Sequence, residues 1–230
     1  MLLPGLNCDA AVWAPQVAAL KDAHCVIPAW GLRDSLTAMA EQVLAEAPTE
    51  RFSVAGHSMG GRVALEVFRL APQRVERLAL LSTGSHPLAA GEAGEKEKAG
   101  RMALLQIART QGMRAMGQQW ARGMVHRDRL DTPVFEQVLD MLARGSAEQY
   151  AAQIHALLTR PDAGPLLPTI ACPTLVLTGR EDAWSGPAQH EAMADAIPNA
   201  TLAIIEHCGH MCTLEQPQAV NEALAAWLRR

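Results

Sequence analysis

The chain has 230 residues, 49% of them hydrophobic and 19% charged, which is enough apolar content for one large core and unlike a disordered protein. A formal net charge of −4 with no Lys/Arg block argues against a nucleic-acid partner, because nothing is present to neutralise phosphates. No apolar run approaches the roughly 18 residues of a membrane span, and Met1 leads into Pro4-Gly5 without a basic leader. These features predict a cytoplasmic protein with no membrane partner, a monomer or homo-oligomer acting on a small molecule. Cys8, Cys25, Cys172, Cys208 and Cys212 are odd in number and scattered, unlike a disulfide framework.

In chain order, "LLPGLNCDAAVW" reads as a short early strand running into a loop. "RFSVAGHS" is β-branched and apolar, and "GRVALEVFRLAP" then spaces Val63, Val67 and Leu70 on one helical face that ends at Pro72. Between them Gly56, Gly60 and Gly61 surround Ser58. Glycine is costly inside either element, so three of them imply a sharp bend or a very close backbone approach. "VERLALLSTG" and "PTLVLTG" are near-continuous apolar runs, as expected of parallel strands buried on both faces, and "ATLAIIEHCGH" resembles them. From Ser85 to Pro168 the pattern is helical, around "RMALLQIARTQGMRAMGQQWARGM" and "TPVFEQVLDMLARG", with no strand-like run. The alternation predicts an α/β fold, a mostly parallel central sheet flanked by helices. The expected core is 1–84 with 169–230, and 85–168 is expected to be an inserted helical cap.

"HCGHMC" places His207, Cys208, His210 and Cys212 within six residues. On composition alone this suits a metal, but zinc ligands normally come from paired spacings on separate segments, and no second cluster exists. No metal and no cofactor are expected.

With these elements in place, the chain resembles an α/β-hydrolase-fold serine hydrolase of the kind with a helical cap, similar to carboxylesterases and enol-lactonases. "GHSMGG" fits the G-x-S-x-G nucleophile elbow in its strand, turn and helix context. The resemblance implies an order of Ser, then acid, then His, with the acid just after a late strand and the histidine after the last one. Ser58 is then the nucleophile. Asp182 in "TLVLTGREDAW" is the matching acid, with Glu181 as its competitor. His210 in "IIEHCGHMCTLEQP" is the base, with His207 as its competitor, and His57 inside the elbow is a packing residue. A serine hydroxyl needs a neutral imidazole to take its proton and a carboxylate to orient that ring. The resemblance also places two oxyanion-hole amides at Leu6 and Met59. Pro4 stands where relatives usually have a histidine, and Asn7 is expected to cap the following helix, with an added oxyanion donor as the alternative. The absence of a leading hairpin implies a sheet shortened at one edge.

The implied reaction is cleavage of a small, mainly apolar carboxylic ester or lactone through an acyl-enzyme. The fold also hosts C–C bond hydrolases, perhydrolases, cofactor-free dioxygenases and non-catalytic receptors. Candidate pocket residues are Trp30 and Trp184 from loops and Met102, Met113, Met116, Trp120 and Met124 from the cap. The cap's arginines are interspersed with acids and read as a solvated face.

Overall fold

The computed structural model describes residues 1–230. Its centre is one five-stranded sheet of β1 (Leu2–Leu3), β2 (Phe52–His57), β3 (Val75–Leu81), β4 (Thr174–Gly179) and β5 (Ala200–Ile205), in that spatial order. Every neighbouring pair is parallel, with Gly56 opposite both Leu3 and Leu80, and Leu177 opposite Leu81 and Ala203. The edge strand β1 has only two residues, and Leu2 donates its N–H to Val26 O on its outer side at 2.9 Å.

Because side chains alternate along a strand, each strand feeds two separate cores. Leu3, Val54, Leu78, Leu80 and Val176 join one apolar cluster, while Leu2, Ala55, Ala79, Leu81 and Leu177 join the other. The first cluster includes residues of α2 (Leu36–Glu46), α3 (Met59–Leu70) and α8 (Pro187–Ala196). The second takes Val220, Leu224 and Trp227 from α10 (Pro217–Leu228), with Trp13 at the entry to α1 (Ala14–Ala19). The near-continuous apolar runs in the sequence follow from this two-sided burial.

Between β3 and β4 the chain is helical: α4 (Glu92–Gln111), α5 (Met113–Trp120), α6 (Pro133–Ala143) and α7 (Ala147–Leu158). The long helical run of the sequence breaks at Gly112, whose φ of 90° turns the chain from α4 into α5. Helix α7 opens with a reciprocal cap in which Ser146 accepts from Gln149 N and Gln149 accepts from Ser146 N. Helix α2, which carries no marked motif, starts where Ser35 Oγ accepts from Ala38 N at 3.1 Å. After β5 a loop leads to α9 (Cys212–Glu215) and then α10. The C-terminal ends of the strands and the loops after them assemble the candidate site.

Candidate active site

Ser58 lies at the junction of β2 and α3 with φ 55° and ψ −118°, a conformation that costs a non-glycine residue about 1–3 kcal/mol. Its surroundings hold it there. Ser58 N donates to Leu81 O at 2.9 Å, and Thr83 Oγ1 donates to Ser58 O at 2.7 Å. The flanking glycines explain themselves at two positions. A Cβ on Gly56 would overlap the carbonyl of Gly60, and one on Gly60 would overlap the carbonyl of Leu3. The turn thus packs helix α3 directly against strand backbone, which no larger residue permits.

Ser58, His210 and Asp182 come together from three segments. His210 Nε2 lies 2.9 Å from Ser58 Oγ, and His210 Nδ1 lies 2.9 Å from Asp182 Oδ2. The other oxygen, Asp182 Oδ1, accepts from Trp184 N and Ser185 N, each at 2.9 Å. Burial opposes ionisation of this carboxyl, but the His210 ring and the two amides outweigh it and hold Asp182 well below the usual carboxylate range. An ionised Asp182 fixes the neutral ring with its proton on Nδ1, leaving the Nε2 lone pair toward Ser58 Oγ.

The competitors lie elsewhere. Glu181 Oε2 accepts from Cys208 N at 2.9 Å, so this carboxylate ties the histidine loop down and does not touch His210. His207 sits at φ 52° with its ring against His126, 6.0 Å between centroids. His57 does more than pack. Its Nε2 donates to His210 O at 2.8 Å, while its Nδ1 is buried without a partner. Burial, reinforced by the His210 ring, pushes the His57 pKa down to about 4, so it is neutral near pH 7.

The early loop runs beside Ser58: a Cβ on Gly5 would stand 3.2 Å from Ser58 Cβ. Neither Leu6 N nor Met59 N finds an acceptor within the chain, and both residues border the cavity. Asn7 does not cap a helix. With φ 54° it donates its N–H to Gln153 Oε1 (2.7 Å) and its Nδ2 to Leu142 O (2.9 Å), while Asp9 caps the next turn. The loop is therefore pinned by α6 and α7, through a Gln153 that carries no signal in the sequence.

The histidine loop is organised by Glu215, which stands in the quoted "IIEHCGHMCTLEQP" but received no role from the sequence. Its buried carboxylate accepts from His126 N (2.6 Å), Gly209 N (3.2 Å) and Met211 N (3.0 Å). Met124 O also accepts from His210 N at 2.8 Å, so the segment after α5 clasps His210.

A cavity of about 480 Å³ opens over Ser58, a volume suited to a small ligand. Leu104, Trp120, Met124, Leu157 and Trp184 form apolar parts of its wall, and Trp184 stacks on Trp120 at 5.8 Å while approaching the His210 ring at 4.9 Å. Trp30 and Met116 do not reach it. The Trp30 indole donates to Pro4 O at 3.1 Å, bracing the early loop from behind, and Met116 is fully buried in the core cluster. Met102 is exposed and Met113 packs in the same cluster. The arginines are also placed differently from expectation: Arg101 of α4 and Arg160 after α7 face the cavity with Arg62, Lys96 and Glu97.

The "HCGHMC" side chains do not converge. Cys208 and Cys212 are buried in the second core, their thiols pushed up by burial, and His210 serves Ser58 and Asp182. A different trio, His126, Glu181 and His207, brings its ligand atoms within 4.8 Å. His126 Nδ1 accepts from Asp128 N at 3.1 Å, so the neutral ring carries its proton on Nε2, the atom facing Glu181. That tautomer offers no lone pair to an ion there. Cys8 borders the cavity, but burial pushes its thiol up to about 12, which leaves Ser58 without a thiolate rival.

The chain belongs to the Alpha/beta hydrolase family, whose model matches residues 1–223, and it is a hydrolase of that fold. It is 28% identical to 3-oxoadipate enol-lactonase 2 of Acinetobacter baylyi over 98% of this chain and 86% of that one. It is 27% identical to the (E)-2-((N-methylformamido)methylene)succinate hydrolase of the same organism, over 99% and 89% of the two chains. Among solved structures, a thermophilic esterase from Thermogutta terrifontis superposes with a TM-score of 0.86 at 29% identity, covering 99% of this chain and 88% of that one. An enol-lactonase from Burkholderia xenovorans LB400 superposes with a TM-score of 0.83 at 23% identity, covering 100% and 91%, a likeness of fold. The sheet itself is entirely parallel, where the sequence suggested mostly so.

Proposed function

We propose that the protein is a serine hydrolase that cleaves a small carboxylic ester or lactone through an acyl-enzyme. The observation that carries this reading is the hydrogen-bonded line from Ser58 Oγ through the His210 ring to Asp182, at 2.9 Å for each step. Ser58 Oγ attacks the carbonyl carbon as its proton passes to His210 Nε2, and Asp182 stabilises the imidazolium that forms. The developing oxyanion is bound by the free N–H groups of Leu6 and Met59, the latter at the N-terminal end of α3. His210 then returns its proton to the leaving alkoxide, which departs as an alcohol, or stays tethered if the substrate is a lactone. A water that gives its proton to His210 releases the acyl group as a carboxylic acid and restores Ser58.

In this reading residues 1–84 and 169–230 form the catalytic core, and residues 85–168 act as a cap that supplies Leu104, Trp120, Met124 and Leu157 to the pocket wall. The apolar part of the substrate lies against these residues and Trp184. The test is steady-state hydrolysis of ethyl esters and of γ- and δ-lactones by the wild type, Ser58→Ala and Asp182→Asn. Turnover by the wild type with a loss of at least about a thousandfold in each variant supports the reading. Equal activity of wild type and Ser58→Ala overturns it.

A further inference from the structure

Four cationic side chains and a single carboxylate border the cavity: Arg62, Lys96, Arg101 and Arg160 against Glu97. The acid is already committed. Arg101 Nη2 and Arg160 Nη1 both donate to Glu97 Oε1 at 2.8 Å, and Arg160 Nη2 donates to Glu97 Oε2 at 2.8 Å. Despite its burial, Glu97 is therefore held down to about 2 by its two arginines. No carboxylate remains for Arg62, which makes none of the chain's ion pairs and whose one bond is Nη1 to His86 O at 2.7 Å. Burial and the neighbouring Arg160 push its pKa down to about 9, and the attraction of Glu97, already shared by two other arginines, offsets this only in part. Arg62 stands on α3 four residues beyond Ser58, about 6 Å along the helix axis. Its Nε and Nη2, which make no bond within the chain, form the two-pronged edge that matches the two oxygens of a carboxylate.

We propose that the substrate carries a carboxylate in addition to its scissile ester or lactone, and that Arg62, with Lys96 beside it, seats that carboxylate in the charged half of the cavity. The substrate class rests on the Ser58 hydrolase reading; the anion seat itself does not. The apolar wall then takes the chain between the two ends, in place of the mainly apolar substrate expected from the sequence. Arg101 and Arg160 act as positioning residues, because by occupying Glu97 they keep it from neutralising the incoming group.

Two matched pairs test this: monoethyl glutarate against ethyl valerate, with the charge on the acyl side, and O-butyrylglycolate against ethyl butyrate, with it on the leaving side. In at least one pair kcat/KM favours the anion by about tenfold or more. Arg62→Met brings that ratio to one or below, and Arg62→Lys restores part of it. Binding is read separately by calorimetry of glutarate, and of inorganic phosphate, to Ser58→Ala, with Lys96→Gln in the same background as a surface variant that weakens glutarate. If neutral esters are hydrolysed at least as well as anionic ones and glutarate does not bind, the anion seat is wrong while the hydrolase reading stands. If glutarate binds through Arg62 but no ester is turned over, the hydrolase reading is wrong while the seat stands. Tighter binding of phosphate than of glutarate overturns the assignment to a carboxylate.

Discussion

Ser58, Asp182 and His210 share one hydrogen-bonded line, and each of their near neighbours has another task. The distinction between Asp182 and Glu181 is therefore measurable. Asp182→Asn loses the proton acceptor for His210 Nδ1 and is expected to lower kcat by about 10³–10⁴-fold. Glu181→Gln keeps an amide oxygen for Cys208 N and loses only the negative charge that faces His126, and is expected to lower kcat by less than about tenfold, at a stability cost of at most about 1 kcal/mol. Comparable losses in kcat for the two would contradict the assignment. His57 gives a pH signature. Its folded pKa of about 4 lies below the unfolded value of 6.5, so the unfolded chain binds the extra proton between these limits. Stability is constant in this respect above pH 6.5 and falls at about 1.4 kcal/mol per pH unit as the pH drops toward 4. Urea unfolding at a series of pH values is expected to show this slope, and His57→Gln to flatten it. Parallel curves for the two proteins would show that His57 does not carry the effect.

At the scale of elements, the β2-to-α3 turn and the histidine loop hold the site in place. Gly60→Ala drives a methyl into the carbonyl of Leu3 and is expected to destabilise by about 3 kcal/mol or more, read as a fall in Tm. Gly100→Ala on α4, where a Cβ meets nothing within 4 Å, is expected to be neutral or stabilising. Glu215→Gln retains one acceptor oxygen for the three amides that the carboxylate now serves, and is expected to lower both Tm and kcat. Unchanged kcat in that variant would mean that the loop holds His210 without it. These contrasts also mark how far the sequence is legible. The strands and the turn at Ser58 are visible because two-sided burial and backbone crowding restrict composition locally, to apolar runs in one case and glycines in the other. Gln153 carries no signal, and for Glu215 and Asn7, which stand in quoted stretches, the role is not visible, because all three act through bonds to segments up to 146 residues away. Trp30 and Met116 show the same limit: a large apolar residue near the right loop packs into the core as readily as into a pocket wall, and only the tertiary fold decides.

The whole molecule carries a formal charge of −4, yet the cavity over Ser58 gathers four cations around one acid. A surplus of this kind inside a low-dielectric cleft attracts small anions and weakens with salt. Net charge gave no hint of it, because the four cations come from three separate stretches, Arg62 on α3, Lys96 and Arg101 on α4 and Arg160 after α7, each interspersed with acids. The helices between β3 and β4 reach the site at both ends, through Asn7 on the early loop and through Met124 on the histidine loop, so residues 85–168 brace the site as well as walling the pocket. The most direct test of Ser58 as nucleophile is mass spectrometry of the intact and digested protein after exposure to a fluorophosphonate. One adduct per chain on the peptide carrying Ser58, absent in Ser58→Ala and strongly slowed in Asp182→Asn, is the expected result. A folded wild-type protein that remains unmodified, or that is labelled equally in Ser58→Ala, would contradict it.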